Sequence, residues 1–342
     1  MLHLAVPDGA TGATGAHVVS PRAQGHTPQS GAGPAITVFT ATYNRGHTLA
    51  RVYRSLRAQT FRAFEWLVVD DGSTDDTAAL IARWAAEADF PIRYFWQENK
   101  GKHRAYNRAV GEARGELFLD FDSDDACVPQ ALERFKHHWD SIPEAERTRF
   151  SSIAALCIDD HDRVMGTTFR APVTDSHDLE ARWRFHVIGE KWRIHRTAVL
   201  REYPFPDFTG SHVPEGIMWN RIGRRYTTRY VNEVLRIYHT DQPSLTRSGG
   251  VVVGASVGRL EHMTNLNENI DYLKYAPLEL YRSGVHYTRF SLHAGVGVRR
   301  QLMDLRAPGG KLVCALALPV GWIVYLRDRK RAAHATAAGA PR

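Results

Sequence analysis

The sequence predicts an α/β fold in which helices cover a parallel sheet. Four short apolar runs have the length and composition of buried strands, and they lie at 36–40, 66–69, 92–96 and 117–121. Apolar residues then recur at helical spacing at Leu49, Val52, Tyr53 and Leu56, and residues 80–85 repeat this pattern after the second run. Strands that alternate with helices build a parallel sheet, and right-handed crossovers bring the carboxyl ends of its strands to one edge. Ligands of open α/β sheets bind at that edge, so we expect the site among the residues that follow each strand.

The composition excludes several classes of protein. Of the 342 residues, 43% are hydrophobic and 24% are charged, which excludes a disordered chain, collagen and a polytopic membrane protein. Cys127, Cys157 and Cys314 form no CxxC pair, which argues against a disulfide scaffold or a structural zinc site and indicates a reducing, cytoplasmic compartment. The formal net charge of +7 favours an anionic partner. Because the basic residues do not cluster with aromatics in a nucleic-acid-binding module, we expect a nucleotide or a membrane surface rather than nucleic acid.

Residues 1–34 are predicted to be a disordered leader. They are rich in Gly, Ala, Pro and His, and Asp8 and Arg22 are their only Asp, Glu, Lys or Arg residues. Such a segment can bury little apolar surface. It has no charged n-region leading into an apolar core, so we do not interpret it as a signal peptide.

Charged and polar side chains follow the predicted strands: Thr42, Tyr43 and Arg45 after the first, Asp70 and Asp71 after the second, Lys102 after the third, and Asp122, Asp124 and Asp125 after the fourth. Clustered carboxylates repel one another unless cations or hydrogen-bond donors compensate. Oxygen ligands at positions i and i+2 suit Mg²⁺ or Mn²⁺, and such an ion suits a diphosphate. A nucleotide with a metal ion therefore fits this edge of the sheet.

Each of these groups also has a purely structural interpretation. Residues 70–76 have the composition of a turn and a helix N-cap, and Thr74 or Asp75 is expected to cap the next helix. Residues 122–125 would likewise cap a helix that begins a few residues later. Counting Asp120, however, four carboxylates lie within six residues, which is more than a cap requires.

Three strings, in order along the chain, resemble the family 2 glycosyltransferases with the GT-A fold. The strings are ATYNR at 41–45, VVDDGSTDDT at 68–77 and FLDFDSDD at 118–125, and the resemblance is strong over residues 35–135. It implies a Rossmann-like mixed sheet flanked by helices, a nucleotide-sugar donor, a divalent metal ion (Mn²⁺ or Mg²⁺) and inversion at the anomeric carbon. It also implies a nucleotide-sugar-binding half at 35–150, an acceptor-binding half at 151–250 and a helical C-terminal extension at 251–342. The acceptor would be a glycan whose hydroxyl group receives the sugar.

The resemblance assigns nucleotide contacts to particular residues. Tyr43 is similar to the aromatic residue that stacks on the nucleobase. Asp71, or alternatively Asp70, would accept a hydrogen bond from the imide N–H of the base, and this contact suits uracil or thymine. We therefore expect a UDP-type donor. The remaining nucleotide contacts are assigned to Thr42, Arg45, Lys102 and Asp122.

The metal ligands implied by the resemblance lie in the string at 118–125. Asp122, Ser123 and Asp124 form its DxD motif, and we expect Asp124 to be a direct ligand, with Asp122 and Asp125 as further candidates. His239 could complete the metal shell, since neutral imidazole is an acceptable ligand. A single histidine is more often structural.

The general base is expected at the start of a helix beyond the first half of the chain. The family often has a Glu-Asp pair there, and Glu215 matches its first member, whereas Gly216 replaces the second. Glu215 is our candidate because inversion needs a carboxylate that takes the proton of the attacking hydroxyl. The structural alternative is that Glu215 only follows Pro214 in the first turn of a helix, where the helix dipole stabilises a negative side chain. Asp207 is the second candidate for the base.

The C-terminal extension is predicted to be helical, and it contains a 15-residue apolar run at 312–326 that Pro319 and Gly321 interrupt. As a helix this run would span about 22 Å, less than the roughly 30 Å of a bilayer core. Basic residues flank it on both sides, within 299–311 and 327–331. We expect an interfacial or re-entrant segment beside anionic lipids on the cytoplasmic face, or a buried helix that packs on the catalytic domain. A lipid-linked acceptor would make membrane attachment useful.

Two other functions compete with the transferase. The string LDFD at 119–122 resembles the strand-borne motif of haloacid-dehalogenase-like phosphohydrolases, with Asp120 as nucleophile, but in that family the motif lies on an early strand. A non-catalytic module that binds a nucleotide sugar or a glycan is the other alternative, and Gly216 is its best support. Turnover of the donor separates the enzyme from such a module.

Overall fold

A nine-stranded mixed sheet is the centre of the protein in this computed structural model, which describes residues 33–207, 215–241 and 254–337. Its strands are β1 (Ile36–Thr42), β2 (Phe64–Asp70), β3 (Ile92–Trp96), β4 (Leu117–Asp120), β5 (Ala126–Cys127), β6 (Phe150–Asp159), β7 (Val173–His177), β8 (Lys191–Arg196) and β9 (Thr227–Tyr238). They lie in the order β3-β2-β1-β4-β8-β6-β9-β5, with β7 beside β9. The first four are parallel, and β8 runs antiparallel to both β4 and β6, which confirms the predicted mixed sheet. Residues 1–32 of the predicted leader lie outside the described residues.

Helices cover both faces of the sheet. They are α1 (Gly46–Arg57), α2 (Thr77–Glu87), α3 (Lys102–Glu112), α4 (Ala131–Asp140), α5 (Asp178–Trp183), α6 (Thr197–Glu202), α7 (Gly216–Arg225), α8 (Ala255–Glu268), α9 (Pro277–His293), α10 (Val298–Asp304) and α11 (Pro308–Ala337). Because side chains alternate along a strand, Val38 and Phe39 of β1 enter opposite cores. The Val38 core lies under α1, α2 and α4, and the Phe39 core lies under α3, α6 and α7.

All four strands predicted from the apolar runs are present. The pairing of β1 with β2 places their last residues, Thr42 and Asp70, side by side, and Asp70 in turn pairs with Trp96 at the end of β3. β4 ends at Asp120, opposite Phe39 in β1. The chain segments that leave these strands therefore start from the same edge of the sheet, as the sequence predicts.

The C-terminal extension contains α8 to α11, and α11 differs from the prediction. It continues through Pro319 for 30 residues, about 45 Å at the usual rise per residue, whereas we predicted an interruption at that proline. Pro319 lies on the exposed side of α11, where water can satisfy the carbonyl that loses its N–H partner. By length and composition, residues 308–334 could cross a membrane, although the opposite side of α11 packs on α9.

Candidate functional site

Two loops at the carboxyl edge of the sheet are bound to each other. Asn44, which follows β1 with a positive φ of 51°, donates its backbone N–H to Ser73 Oγ at 2.8 Å and accepts the backbone N–H of Thr74 at 2.8 Å. Asp75 accepts the backbone N–H of Gly46 at the start of α1 and that of Thr77 at the start of α2, both at 3.2 Å. Asp75 thus has the capping role that the sequence suggests, and it joins two helix starts into one rim.

The predicted base-binding residues occupy this rim. Tyr43 is 50% exposed, so part of it is accessible to a ligand. Asp71 is buried and accepts hydrogen bonds from Gln97 Nε2 at 2.8 Å and from the backbone amides of Lys100 at 3.0 Å and Gly101 at 2.8 Å. A carboxylate has about four acceptor sites, so three internal bonds leave one for a base.

Asp70, the alternative to Asp71, has a structural role. It is fully buried, and its oxygens accept hydrogen bonds from the backbone N–H of Ser73 and from the hydroxyl of Tyr94, each at 2.7 Å. Burial and the contact with Asp70 raise the pKa of Tyr94 well above its ordinary value. Thr42 is also buried, and its carbonyl accepts the N–H of Asp71. Because Asp70 is fully buried, its oxygens are not accessible to a ligand.

Asp122 lies between two cations. Its Oδ1 is 2.7 Å from Lys102 Nζ, and its Oδ2 is 2.5 Å from Arg236 Nη2. Lys102 Nζ is also 3.3 Å from Asp120 Oδ2. Burial opposes ionisation of Asp122, but the charges of Lys102 and Arg236 outweigh it and hold the pKa of its carboxyl well below the ordinary value. Asp122 is therefore a carboxylate across the whole physiological pH range.

Asp124 and Asp125 have different environments. Asp124 Oδ2 forms a partly exposed ion pair with Arg45 Nη1 at 3.1 Å. Asp125 is buried, its Oδ2 accepts from Arg236 Nε at 2.6 Å, and its Oδ1 accepts the backbone N–H of His239 at 2.9 Å. Burial raises the pKa of Asp125 to about 6, although Arg236 opposes this. The prediction of Asp125 as a direct metal ligand does not fit these contacts, because both of its oxygens already accept hydrogen bonds within the fold. His239 contacts this cluster through its backbone N–H.

Asp122 and Asp124 nevertheless fit a divalent cation. The described ranges contain no group of three or more His, Cys, Asp or Glu residues arranged around a metal position. Mg²⁺ in nucleotide enzymes is commonly bound by one or two carboxylates, with phosphate and water oxygens completing its shell. The side chains of Asp122 and Asp124 are 37% and 25% exposed, so they have oxygen surface available for such an ion.

A cavity of about 530 Å³ opens beside Asp122, and Glu215 lines it. It brings together three predicted residues, Lys102, Asp122 and Glu215, which come from three separate parts of the chain. It also contains Asp120, which the sequence analysis counted in the aspartate cluster, and residues that sequence reasoning missed as parts of this site: Tyr106, Glu190, His195, Trp219 and Arg236. Of these, Arg236 carried a signal, because it is a charged residue within the apolar pattern of β9.

Glu215 lies at the N-terminal boundary of α7 and is held by the next turn of that helix. Trp219 Nε1 donates to Glu215 Oε2 at 3.1 Å, and the Trp219 ring stacks on His195 with centroids 4.5 Å apart. Burial, followed by the charge of Arg193, lowers the pKa of His195 to about 3, so its ring is neutral. Stacking on His195 holds the Trp219 indole in place, and the hydrogen bond from the indole holds the Glu215 carboxylate.

Asp207, the second candidate for the base, is not part of this cavity. Its side chain is 78% exposed and pairs with Arg104, with Nε and Oδ1 2.6 Å apart. Asp207 is mostly exposed and already paired with Arg104, whereas Glu215 lines the cavity. The geometry therefore favours Glu215 over Asp207.

The chain resembles known proteins mainly in its first half. Residues 37–145 match the sequence profile described as "Glycosyl transferase family 2". Over 125 residues the chain is 32% identical to an uncharacterized glycosyltransferase of Nostoc sp.. This alignment covers 33% of this chain and 39% of that protein. Over 277 residues it is 21% identical to the GalNAc(5)-diNAcBac-PP-undecaprenol beta-1,3-glucosyltransferase of Campylobacter jejuni, covering 75% of this chain and 84% of that protein.

The fold also matches a solved structure over most of the chain. S. aureus TarS residues 1–349, solved in complex with UDP-GlcNAc, superposes with a TM-score of 0.57 at 17% sequence identity. The superposition covers 89% of this chain and 92% of that one. At this identity the likeness establishes the fold.

Proposed function

The chain belongs to the glycosyl transferase family 2, and from that premise we propose that it transfers a sugar from a nucleoside diphosphate to a hydroxyl acceptor with inversion of the anomeric centre. One observation carries the proposal: Asp122 and Lys102 line the same cavity as Glu215. The Lys102 cation suits a diphosphate leaving group, and the Glu215 carboxylate in the same cavity suits the attacking hydroxyl. The cavity thus contains one group for the leaving diphosphate and one for the attacking hydroxyl.

The rim residues would bind the nucleotide. Tyr43 stacks on the base, and the remaining acceptor site of Asp71 takes the imide N–H of uracil, so a UDP-type donor is favoured. Arg45 and Lys102 would bind phosphate oxygens, since both are cations at this edge whose present partners are aspartates. Thr42 would contribute by positioning Asp71, because Thr42 is buried and its carbonyl accepts the N–H of Asp71.

Asp122 and Asp124 would hold Mn²⁺ or Mg²⁺. When bound, the ion neutralises charge on the departing diphosphate. Binding there requires Arg45 and Lys102 to give up part of their contact with these carboxylates, and phosphate oxygens are the natural new partners for both cations. Arg236 keeps Asp122 ionised and in place.

Glu215 would accept the proton of the acceptor hydroxyl. The hydrogen bond from Trp219 Nε1 orients its carboxylate. The acceptor oxygen attacks the anomeric carbon as the bond from that carbon to the diphosphate breaks, and the bonding electron pair leaves with the diphosphate. A glycan or a lipid-linked glycan is the proposed acceptor class, because the Campylobacter relative is named for an undecaprenol-linked substrate.

A thermal-shift screen of UDP, GDP, dTDP and CDP, with and without Mn²⁺, tests this site. At a hundredfold excess over Kd, a ligand should stabilise the fold by about 2.7 kcal/mol. We expect UDP to stabilise the wild type with metal and to lose this effect in Asp124→Ala. Stabilisation that ignores both metal and Asp124 would contradict the proposal, and binding without turnover of a UDP-sugar would favour a non-catalytic module.

We also propose that α11 docks on an anionic membrane surface from the cytoplasmic side. Its outer face is apolar and exposed, and it consists of Leu312, Leu316, Val320, Trp322, Ile323 and Leu326. Exposed basic residues flank this face: Arg299, Arg300, Arg306, Lys311, Arg327, Arg329, Lys330 and Arg331. Two acidic residues, Asp304 and Asp328, lie between positions 299 and 331, and both are in ion pairs.

The packing of α11 favours a helix that lies on the membrane over one that crosses it. Its inner face is pressed on α9, where Gly321 is so close to Thr288 that an added Cβ would come within 2.6 Å of the threonine Cβ. α9 carries Glu279, Arg282 and Arg289, and such charges do not enter a hydrocarbon core without large cost. An apolar face with basic flanks is typical of interfacial helices.

Vesicle flotation tests this surface. We expect the full chain to float with vesicles that contain phosphatidylglycerol, to bind weakly to pure phosphatidylcholine, and to be released by high salt or alkaline carbonate. Leu316→Glu with Ile323→Glu should abolish flotation, whereas Val164→Glu, an exposed apolar position on the sheet domain, should not. Equal binding of neutral vesicles or resistance to carbonate would contradict interfacial docking.

A further inference from the structure

α7 and α8 pack side by side in a constant register. Asn220 Nδ2 donates to Asn265 Oδ1 at 3.0 Å, and Arg224 Nη1 donates to Asn269 Oδ1 at 3.3 Å. Both pairs are separated by 45 residues in the sequence. The same separation pairs Gly216 with Glu261.

Gly216 leaves room for the carboxylate of Glu261. A Cβ built on Gly216 would lie 3.3 Å from Glu261 Oε1, closer than most Cβ contacts. An acidic side chain at position 216 would therefore place a second carboxylate against Glu261. With glycine there, the Glu261 carboxylate on α8 reaches the first residue of α7.

Glu261 has no structural role that the described residues reveal. It is half-buried, and no hydrogen bond or ion pair joins it to the parts of the chain that the structure describes. Burial raises the pKa of Glu261, and the charge of Arg182 opposes this. Gly216, which Glu261 approaches, and Arg182, whose charge acts on Glu261, both line the cavity that Glu215 lines, so Glu261 lies directly behind that part of the cavity wall. A carboxyl group that is half-buried and unpaired at such a place is typical of functional sites.

We infer that Glu261 is a second catalytic carboxylate at the acceptor end of the cavity. The inference rests on the proposed function and refines its proton transfer. Glu215, aimed by Trp219, orients the acceptor hydroxyl, and Glu261 takes the hydroxyl proton as the oxygen bonds to the anomeric carbon. The bond between that carbon and the diphosphate oxygen breaks, and its electron pair leaves with the nucleoside diphosphate.

Glu261→Gln tests this inference, because it removes the proton acceptor and keeps the shape of the side chain. The readouts are the affinity for UDP with Mn²⁺ and the release of UDP from UDP-glucose and UDP-GlcNAc, where water replaces the acceptor hydroxyl. Glu268→Gln is the matched control, since Glu268 lies on the same helix and pairs with Arg221 at the surface. Adding Gly216→Asp to Glu261→Gln returns a carboxylate to the same space.

We expect Glu261→Gln to bind UDP as the wild type does and to release UDP at least tenfold more slowly, Glu268→Gln to match the wild type, and the double variant to recover part of the lost rate. Turnover of Glu261→Gln within twofold of the wild type would overturn the inference. Parallel loss of UDP affinity and turnover would also overturn it, because the role of Glu261 would then be structural. If the wild type binds no nucleotide, the proposed function itself falls, and the inference falls with it.

Discussion

Arg236 Nε donates to Asp125 Oδ2 at 2.6 Å, and this ion pair is buried. It joins the end of β9 to the aspartate motif that follows β4, across 111 residues of sequence. The same guanidinium also contacts Asp122. The position of the predicted metal-binding carboxylates thus depends on a strand from the other half of the sheet.

Asp125→Ala should destabilise the protein. It leaves the buried charge of Arg236 with one partner fewer, and breaking a buried pair in this way typically costs about 3–5 kcal/mol. Asp125→Asn keeps the shape and should cost less. Urea unfolding measures the change, and a midpoint for Asp125→Ala equal to that of the wild type would refute the structural role.

Asp124→Ala should leave stability nearly unchanged and remove metal binding, in contrast to Asp125→Ala. Its ion pair with Arg45 is partly exposed, and such pairs contribute about 0–1 kcal/mol, so the stability of the free protein should barely change. Stabilisation of the UDP complex by Mn²⁺ should disappear. Calorimetric titration of Mn²⁺ into the UDP complex separates the two roles, and undiminished Mn²⁺ affinity in Asp124→Ala would exclude it as a ligand.

Tyr43→Ala should weaken binding of every nucleotide by a similar factor. Stacking of an aromatic ring on a base is worth about 1–3 kcal/mol and tolerates any base, which corresponds to roughly tenfold or more in Kd. Tyr275→Ala, at an exposed tyrosine of the C-terminal extension, is the control. Competition binding with UDP and GDP measures both variants, and a loss confined to one base would contradict a stacking role.

Trp219→Phe should slow turnover and spare nucleotide binding. Phenylalanine can still stack on His195 but cannot donate to Glu215, and loss of a hydrogen bond to a charged group corresponds to roughly tenfold in rate. We expect the change in kcat with an unaltered Kd for UDP. Equal loss of both would mean that Trp219 supports the cavity as a whole.

His195 should make the fold less stable in mild acid. Its pKa is about 3 in the folded protein and near 6.5 in an unfolded chain, so the unfolded state binds more protons between these values. Stability therefore falls as the pH drops below about 6.5, by up to roughly 1.4 kcal/mol per pH unit. His195→Gln should lower that slope between pH 6 and pH 4, as should His262→Gln, whose half-buried ring also has a pKa of about 3. Identical slopes for wild type and His195→Gln would disprove the linkage.

The sequence predicted the fold of the first half of the chain well because its signals are local. β1 and β2 are apolar runs followed directly by polar residues, and both features survive in the fold with the loops after them at one edge. Asp75 caps α2 as its position suggests. Such assignments need only neighbours along the chain.

Assignments that depend on distant packing were beyond the sequence. Asp125 looked like a ligand because it follows Asp124, but its partner Arg236 lies on β9. Pro319 looked like an interruption, but its place on the exposed side of α11 lets the helix continue. Glu261 carried no local signal at all, because its position matters only through the register of α7 and α8.

The most direct measurement is proton NMR of UDP-glucose and of UDP-GlcNAc incubated with the full chain and Mg²⁺. The account predicts that the α-anomeric signal of at least one donor decays and that the β-anomer of the released sugar forms first, before mutarotation, because the attacking oxygen approaches opposite the diphosphate. Asp124→Ala should leave the donor signal unchanged. Release of the α-anomer first, or decay that persists at the wild-type rate in Asp124→Ala, would contradict an inverting transferase that binds its donor at this edge.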